Sequence, residues 1–385
     1  MKLCREVNQK NNIGSTPLHL ACQKGHYETV KLLLDLNGQT NNSCVNTNTI
    51  NKHGFSILHA ACNNGHTKIV KLLIDVGMNV NHTTIVGATP LSLACRNGQY
   101  DTVKYLLDLR EHTLQGSIDR TTNPKDGWPA LHLACLNGHI EIVTLLIDSG
   151  FKINDTTADG YTPLYLACLN GHYDTVKFLL DWNSFILTYY VDSTIKDNNG
   201  WSVLHAACLK GHTQVVKLLL NIGLNVNDAS NDGHTPLYLA CERGHYDTVK
   251  LLLDLNGQSL NSCVDTTIKD EDGWSVLHLA CSNGHTEVVK LLVDVGLNLN
   301  ETTNVGDTPL YLACKEGHHD TVKCVLNING KQINSHVETA NDNTNRQSAV
   351  HAAYSNGHTK VVELLNDAGI THREIRSMKH SCMIL

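Results

Sequence analysis

The sequence predicts an all-α solenoid in which short helix-turn-helix hairpins stack in a row, joined by β-hairpin-like finger loops. Three observations predict it. A Gly-His or Gly-Gln pair recurs ten times in register, at Gly25, Gly65, Gly98, Gly138, Gly171, Gly211, Gly244, Gly284, Gly317 and Gly357. The steps alternate strictly between a longer and a shorter one, so the true period is a pair of repeats: Gly25, Gly98, Gly171, Gly244 and Gly317 form one evenly spaced series, and the other five glycines form a second. Apolar residues on both sides of each pair keep helical spacing.

Each element follows from its residues. Residues 1–10 match only the loop that would precede a repeat, with Val7-Asn8 aligned to Ile153-Asn154. Either the first repeat then serves as its own cap or the chain is a truncated product. Thr16-Pro17 sets a capping hydroxyl and a proline at a helix start, where proline displaces no hydrogen bond. Leu18, Ala21 and Cys22 fall at i, i+3 and i+4, one face of a short helix. Gly25 ends that helix. Val30, Leu33 and Leu34 repeat the spacing on a second helix, and Leu145 and Leu146 are the buried leucines expected in a later copy. Lys31 follows Glu28 by one helical turn outside the apolar face, a solvated pair. One hairpin cannot bury both helices, so neighbours must stack.

The repeats come in two kinds, A and B. An A repeat reads TPLYLACLNGHYDTVKFLLD (Thr162 to Asp181), and a B repeat reads WSVLHLACSNGHTEVVKLLVDVG (Trp274 to Gly296). These strings resemble the ankyrin repeat, whose signature is T-P-L-H-x-A at a period close to the shorter of the two steps. The resemblance runs from about Asn11 to Gly369 and covers ten copies in five A/B pairs, leaving 370–385 as a tail. It implies that the turn histidines, such as His26 and His172, and the Leu-His histidines, such as His19, His205 and His278, tie neighbouring repeats together by hydrogen bonds. The last repeat reads as a cap: Glu363 replaces the equivalent Lys290, Asn366 replaces Val293, and Tyr354 replaces the recurrent cysteine.

Composition narrows the function. The chain has 385 residues, 41% of them apolar and 5% aromatic, with a net charge of −7 from interspersed charges. That supports a layered core and shows no basic face for nucleic acid. The N-terminal stretch MKLCREVNQK lacks the apolar run of a signal peptide, and no apolar run is long enough to span a membrane. Cysteines at one helical position (Cys22, Cys62, Cys95, Cys135, Cys168, Cys208, Cys241, Cys281 and Cys314) read as cytosolic, buried thiols and not as a disulfide framework. No C-x-x-C, phosphate loop, H-E-x-x-H or G-x-S-x-G occurs, so the sequence predicts no cofactor, no metal site and no enzyme.

Three features depart from the repeat's economy. The residue after the finger glycine is aromatic in every B repeat but the last, at Phe55, Trp128, Trp201 and Trp274, each one full A/B period after the one before. The A repeats have Ser15, Ala88, Tyr161, His234 and Asp307 there. The resemblance places this position at the finger base on the partner side; the alternative is that each ring packs on the neighbouring finger. Second, each A repeat carries an insertion after its second helix, which makes the longer step. The central insertion holds Phe185, Tyr189 and Tyr190, an apolar cluster of the kind that marks contacts or else tucks under its own loop. Third, Cys382-Met383-Ile384-Leu385 fits a C-a-a-X prenylation signal, and terminal leucine favours geranylgeranyl.

The expected function is a monomeric, cytoplasmic, non-catalytic scaffold that grips one or more proteins on its concave and finger face. Lipidation at Cys382 would add peripheral contact with the cytoplasmic face of membranes. The alternative is a substrate-receptor adaptor of a ubiquitin ligase, which would need a recruiting box beyond the repeats. Residues 370–385 are too short to be one, so this alternative calls for further residues at the N-terminus.

Overall fold

A computed structural model describes residues 6–38, 45–109, 118, 128–182, 190–254, 263–331 and 348–370. Among these residues every regular element is a helix, and the helices pair off along the chain through short turns. The chain divides into two compact units, Met1–Ile195 and Lys196–Leu385.

In the first unit the hairpins are α1 (Pro17–Lys24) with α2 (Tyr27–Gly38), α3 (Ile57–Asn63) with α4 (Thr67–Asp75), α5 (Pro90–Arg96) with α6 (Tyr100–Leu107), α7 (Ala130–Leu136) with α8 (Ile140–Asp148), and α9 (Pro163–Leu169) with α10 (Tyr173–Trp182). Each first helix packs on the next first helix, and each second helix on the next second helix. The second unit repeats the plan with α11 (Val203–Leu209) and α12 (Thr213–Asn221), α13 (Pro236–Glu242) and α14 (Tyr246–Asp254), α15 (Val276–Ser282) and α16 (Thr286–Asp294), α17 (Pro309–Glu316) and α18 (His319–Lys331), then α19 (Ala349–Ser355) and α20 (Thr359–Asp367). Two-layer stacking of this kind is what short amphipathic helices need, since one hairpin alone leaves both apolar faces wet.

The helix ends obey their residues. Thr16 caps α1 and Pro17 opens it, while Gly25 closes it in the left-handed conformation at φ 79°. The capping is reciprocal: His19 Nδ1 accepts a hydrogen bond from the Thr16 backbone N–H at 3.3 Å and contacts the Thr16 hydroxyl at 2.9 Å. Leu18, Ala21, Cys22 and Val30 are buried, and so are the other eight cysteines at the Cys22 position. On the second helices the buried set is shifted from the one the sequence predicts. In α8 it is Ile142, Val143, Leu146 and Ile147, whereas Leu145 is only half-buried. Leu33 in α2 is half-buried in the same way. The reason is geometric. A residue one step before the buried leucine is rotated by about 100° around the helix and meets the flank of its neighbour, not the centre of the interface. The solvated pair expected at Glu28 and Lys31 forms at the equivalent Glu287 and Lys290, 2.6 Å apart.

The fingers are narrow hairpins held by turns. Among the described residues their only ladder pairing is an isolated antiparallel bridge between Ile50 and Ser56. In α20 and its hairpin, Tyr354, Glu363 and Asn366 face solvent, which gives that hairpin a polar outer surface.

Candidate interaction surface

The histidines hold one repeat to the next. His66 Nε2 donates to the Gln23 carbonyl at 3.0 Å, His172 to Leu136 at 2.8 Å, His245 to Leu209 at 3.0 Å and His318 to Ser282 at 2.8 Å. A second set reaches from the first helix to the following finger: His59 Nε2 donates to the Ala88 carbonyl at 3.1 Å and His205 to His234 at 2.9 Å. Burial keeps these inner histidines neutral. It pushes His59 and His132 down to about 4, against the opposing pull of their hydrogen bonds to backbone carbonyls. Burial also raises the thiols, with Cys22 and Cys314 pushed up to about 12, so they are protonated and inert. Among the described residues no group of histidine, cysteine or carboxylate side chains could hold a metal ion.

The finger aromatics are anchored through their backbones. Trp201 N–H donates to Asp197 Oδ1 at 2.8 Å, and its carbonyl accepts from the Asp197 N–H at 3.0 Å. Trp274 repeats this with Asp270 at 2.7 and 3.1 Å, and Phe55 with Asn51 at 3.0 Å in both bonds. Their rings are half-buried. The covered side packs on the first helix of the same repeat: Phe55 lies 5.7 Å from the His59 ring, and Trp201 and Trp274 each lie 6.4 Å from His205 and His278. Trp128 differs, meeting Tyr161 of the next finger edge-on at 6.3 Å, while Tyr161 stacks on Tyr165 at 4.8 Å. Packing on the neighbouring finger therefore describes Trp128; the other three rings rest on their own helix.

Tyr190 is 62% exposed although its backbone is held. Asn154 Nδ2 donates to the Tyr190 carbonyl at 2.6 Å and Asn154 Oδ1 accepts from the Asp192 N–H at 2.9 Å. Phe185, Tyr189 and Cys382 lie outside the described residues.

One link was not anticipated from sequence. The Tyr238 hydroxyl donates to Asp270 Oδ2 at 2.7 Å, and the other oxygen of Asp270 accepts from Trp274. A tyrosine of one repeat thus steadies the tryptophan-bearing finger of the next. Burial raises the Tyr238 hydroxyl pKa, and the bond to Asp270 adds to it. The available signal was the tyrosine of T-P-L-Y standing about one repeat ahead of the finger aspartate, a step that only a stacked fold turns into a contact.

Family models described as "Ankyrin repeats (3 copies)" match residues 41–116, 111–188, 183–263 and 256–337, and "Ankyrin repeat" matches 13–47. The chain is an ankyrin-repeat protein. A solved structure of the human ASB11 ankyrin repeat domain is similar to it, at 29% identity and a TM-score of 0.50, over 59% of this chain and 92% of that one. No curated protein matches the chain in sequence. Ankyrin repeats are protein–protein interaction modules, and no helix among the described residues is long and apolar enough to cross a membrane. The ankyrin fingers bring their aromatics out at equivalent repeat positions within each unit: Phe55, Trp128 and Tyr161 in the first, Trp201 and Trp274 in the second.

Proposed function

We propose that this ankyrin-repeat chain is a non-catalytic adaptor that holds protein partners along its finger side. Its contacts would be Phe55, Trp128, Tyr161, Trp201 and Trp274, with Tyr190, Phe185 and Tyr189 at the central insertion. The observation that carries this reading is the anchoring of the aromatics. Phe55, Trp201 and Trp274 are each attached to a backbone bonded on both sides of its turn, yet the residue is only half-buried. A rigid aromatic with one open face loses little conformational entropy when a partner covers it.

We further propose that the chain works in the cytoplasm, where Cys382 is prenylated and brings the held partner to membranes. A receptor role in a ubiquitin ligase would use the same finger side. The test is affinity capture from cytosol, comparing wild type with Trp128, Trp201 and Trp274 all changed to alanine, alongside a melt of each protein. Loss of the same partners from a variant that still melts cooperatively supports the reading. Undiminished capture would overturn it. Mass spectrometry of the C-terminal peptide from eukaryotic cells decides the lipid: an unmodified Cys382 with Met383-Ile384-Leu385 still attached removes that part.

A further inference from the structure

The repeats allow the chain to be compared with itself. Ile50, Lys196 and Lys269 occupy one finger position; His82, Asp228 and Glu301 occupy its counterpart on the following finger; Ile85, Asn231 and Asn304 occupy a third. In the second unit these positions are polar and joined. Lys196 Nζ lies 2.6 Å from Asp228 Oδ1, and Lys269 Nζ lies 2.8 Å from Glu301 Oε1. Asn231 Nδ2 donates to the Asn198 carbonyl at 3.2 Å, and Asn304 Nδ2 to that of Glu271 at 2.9 Å. In the first of these copies His82 is half-buried, and the side chains at the other two positions, Ile50 and Ile85, are apolar and open instead. Ile50 is 45% exposed and Ile85 70%, beside Val86 at 60%.

The stacking of fingers does not require this change. Ile85 N–H still donates to the His53 carbonyl at 3.4 Å, as Asn231 does to Asn199 and Asn304 to Asp272, both at 3.0 Å. The row extends back to Ile13, 48% exposed, whose carbonyl accepts from the Lys52 N–H at 3.0 Å. Solvent-facing isoleucines where the same fold elsewhere uses lysine and asparagine mark a contact surface.

Charge identifies what it contacts. Residues 8–16, 45–56 and 78–89 contain Lys10 and Lys52 and no aspartate or glutamate. Both lysines are exposed. The equivalent of Lys52 in the B finger of the eighth repeat is Glu271, and that of His53 is Asp272. Two lysines are too few to hold a chain on an anionic bilayer, where each adds about 1 kcal/mol. They suffice to select among protein segments by attracting one charge and repelling the other.

We propose that Ile13, Ile50, Ile85 and Val86, with Lys10 and Lys52 beside them, form a docking surface for a protein segment that carries apolar side chains among aspartates and glutamates. This rests on the reading of the finger side as the partner side, and it names a second contact region with its own chemistry.

The probe is a random-peptide phage library selected on the immobilised full chain, with the best peptides remade, labelled and titrated by fluorescence polarisation. The expected winners are richer in acidic and aliphatic residues than the starting library. The variant combining Ile50→Lys and Ile85→Asn uses residues that other fingers of this chain already carry, so its melt should match wild type. It should bind the peptides at least about tenfold more weakly. Lys52→Glu should weaken them several-fold and flatten the salt dependence. Basic or charge-indifferent winners, or full binding by the double variant, would overturn the proposal. So would self-association in sedimentation, or binding to phosphatidylserine vesicles, that the double variant abolishes while peptides do not bind. Peptides lost with Trp201→Ala and Trp274→Ala but kept by the double variant would remove this surface and leave the aromatic one standing. Peptides indifferent to both sets would remove both.

Discussion

Pro129 caps the helix that carries His132, and the Nδ1 of that buried histidine has no hydrogen-bond partner. At the equivalent position Ser202 gives His205 both a hydroxyl at 2.7 Å and a backbone N–H at 3.1 Å. Proline can supply neither. Pro129 already has the extended backbone of a cap, with φ −60° and ψ 154°. Pro129→Ser should therefore restore the capping box. The gain from partnering a buried nitrogen is about 1–3 kcal/mol, offset by about 0.4–1 kcal/mol from a looser unfolded chain. A net rise of about 1 kcal/mol in urea unfolding is expected from that difference; a loss of stability would show that His132 is satisfied some other way.

The turns interlock through glycine and histidine. A Cβ on Gly138 would lie 2.6 Å from His172 Nδ1, and its φ is +73°. Gly150 has a similar φ of +86° with nothing within 4 Å. Gly150→Ala should cost only the left-handed strain, about 1–2 kcal/mol. Gly138→Ala should cost that plus the displaced His172–Leu136 bond, about 1 kcal/mol more. Equal losses in the two variants would mean that the ring swings aside freely.

Core substitutions should follow burial and not sequence adjacency. Leu146 is fully buried and its neighbour Leu145 is half-buried. Leu146→Ala should cost about 2–5 kcal/mol and Leu145→Ala about half as much. Paired thermal melts test the ratio, and a larger loss at Leu145 would contradict the helix orientation.

Much of this architecture can be read directly from the chain. Thr16-Pro17, the turn glycines and the cysteine column each act within a short stretch, so their spacing states their role. The even A/B step likewise exposes Trp128, Trp201 and Trp274 as a series. What the spacing does not state is which side of a ring is covered: Trp201 lies against His205 of its own helix, whereas Trp128 meets Tyr161, which only stacking brings over from the next finger. The apolar swap at Ile50 and Ile85 is hidden for the same reason. Its meaning comes from an ion pair, Lys196 with Asp228, that spans two fingers, and only the fold reveals that partner.

Acid should weaken the fold before carboxylates protonate. His59 and His132 are held near 4 in the folded chain, while an unfolded histidine titrates near 6.5. Below that value the unfolded state binds more protons, so stability present above about pH 6.5 is lost progressively down to about pH 4. Each such histidine contributes at most about 1.4 kcal/mol per pH unit in that window. Melting temperatures measured from about pH 7.5 to 4.5 should fall, and His59→Gln should lessen the slope. A flat profile between about pH 6.5 and 5 would contradict neutral, buried imidazoles.

Thiol labelling should separate the surface from the core within one experiment. Cys263 is exposed, and its carbonyl accepts from Asn227 Nδ2 at 2.8 Å, so its position is held while its sulfur stays accessible. Cys208, Cys241 and Cys281 are fully buried, and burial raises each thiol's pKa. A thiol reacts as thiolate and only when a reagent can reach it, so these three need their helices to open first. With maleimide at neutral pH, the peptide containing Cys263 should label within minutes. The peptides containing Cys208, Cys241 and Cys281 should stay unlabelled until denaturant is added, and their rates should then report opening of the second unit. Native-state labelling of Cys208 as fast as Cys263 would show that the first helices do not form the closed layer described above.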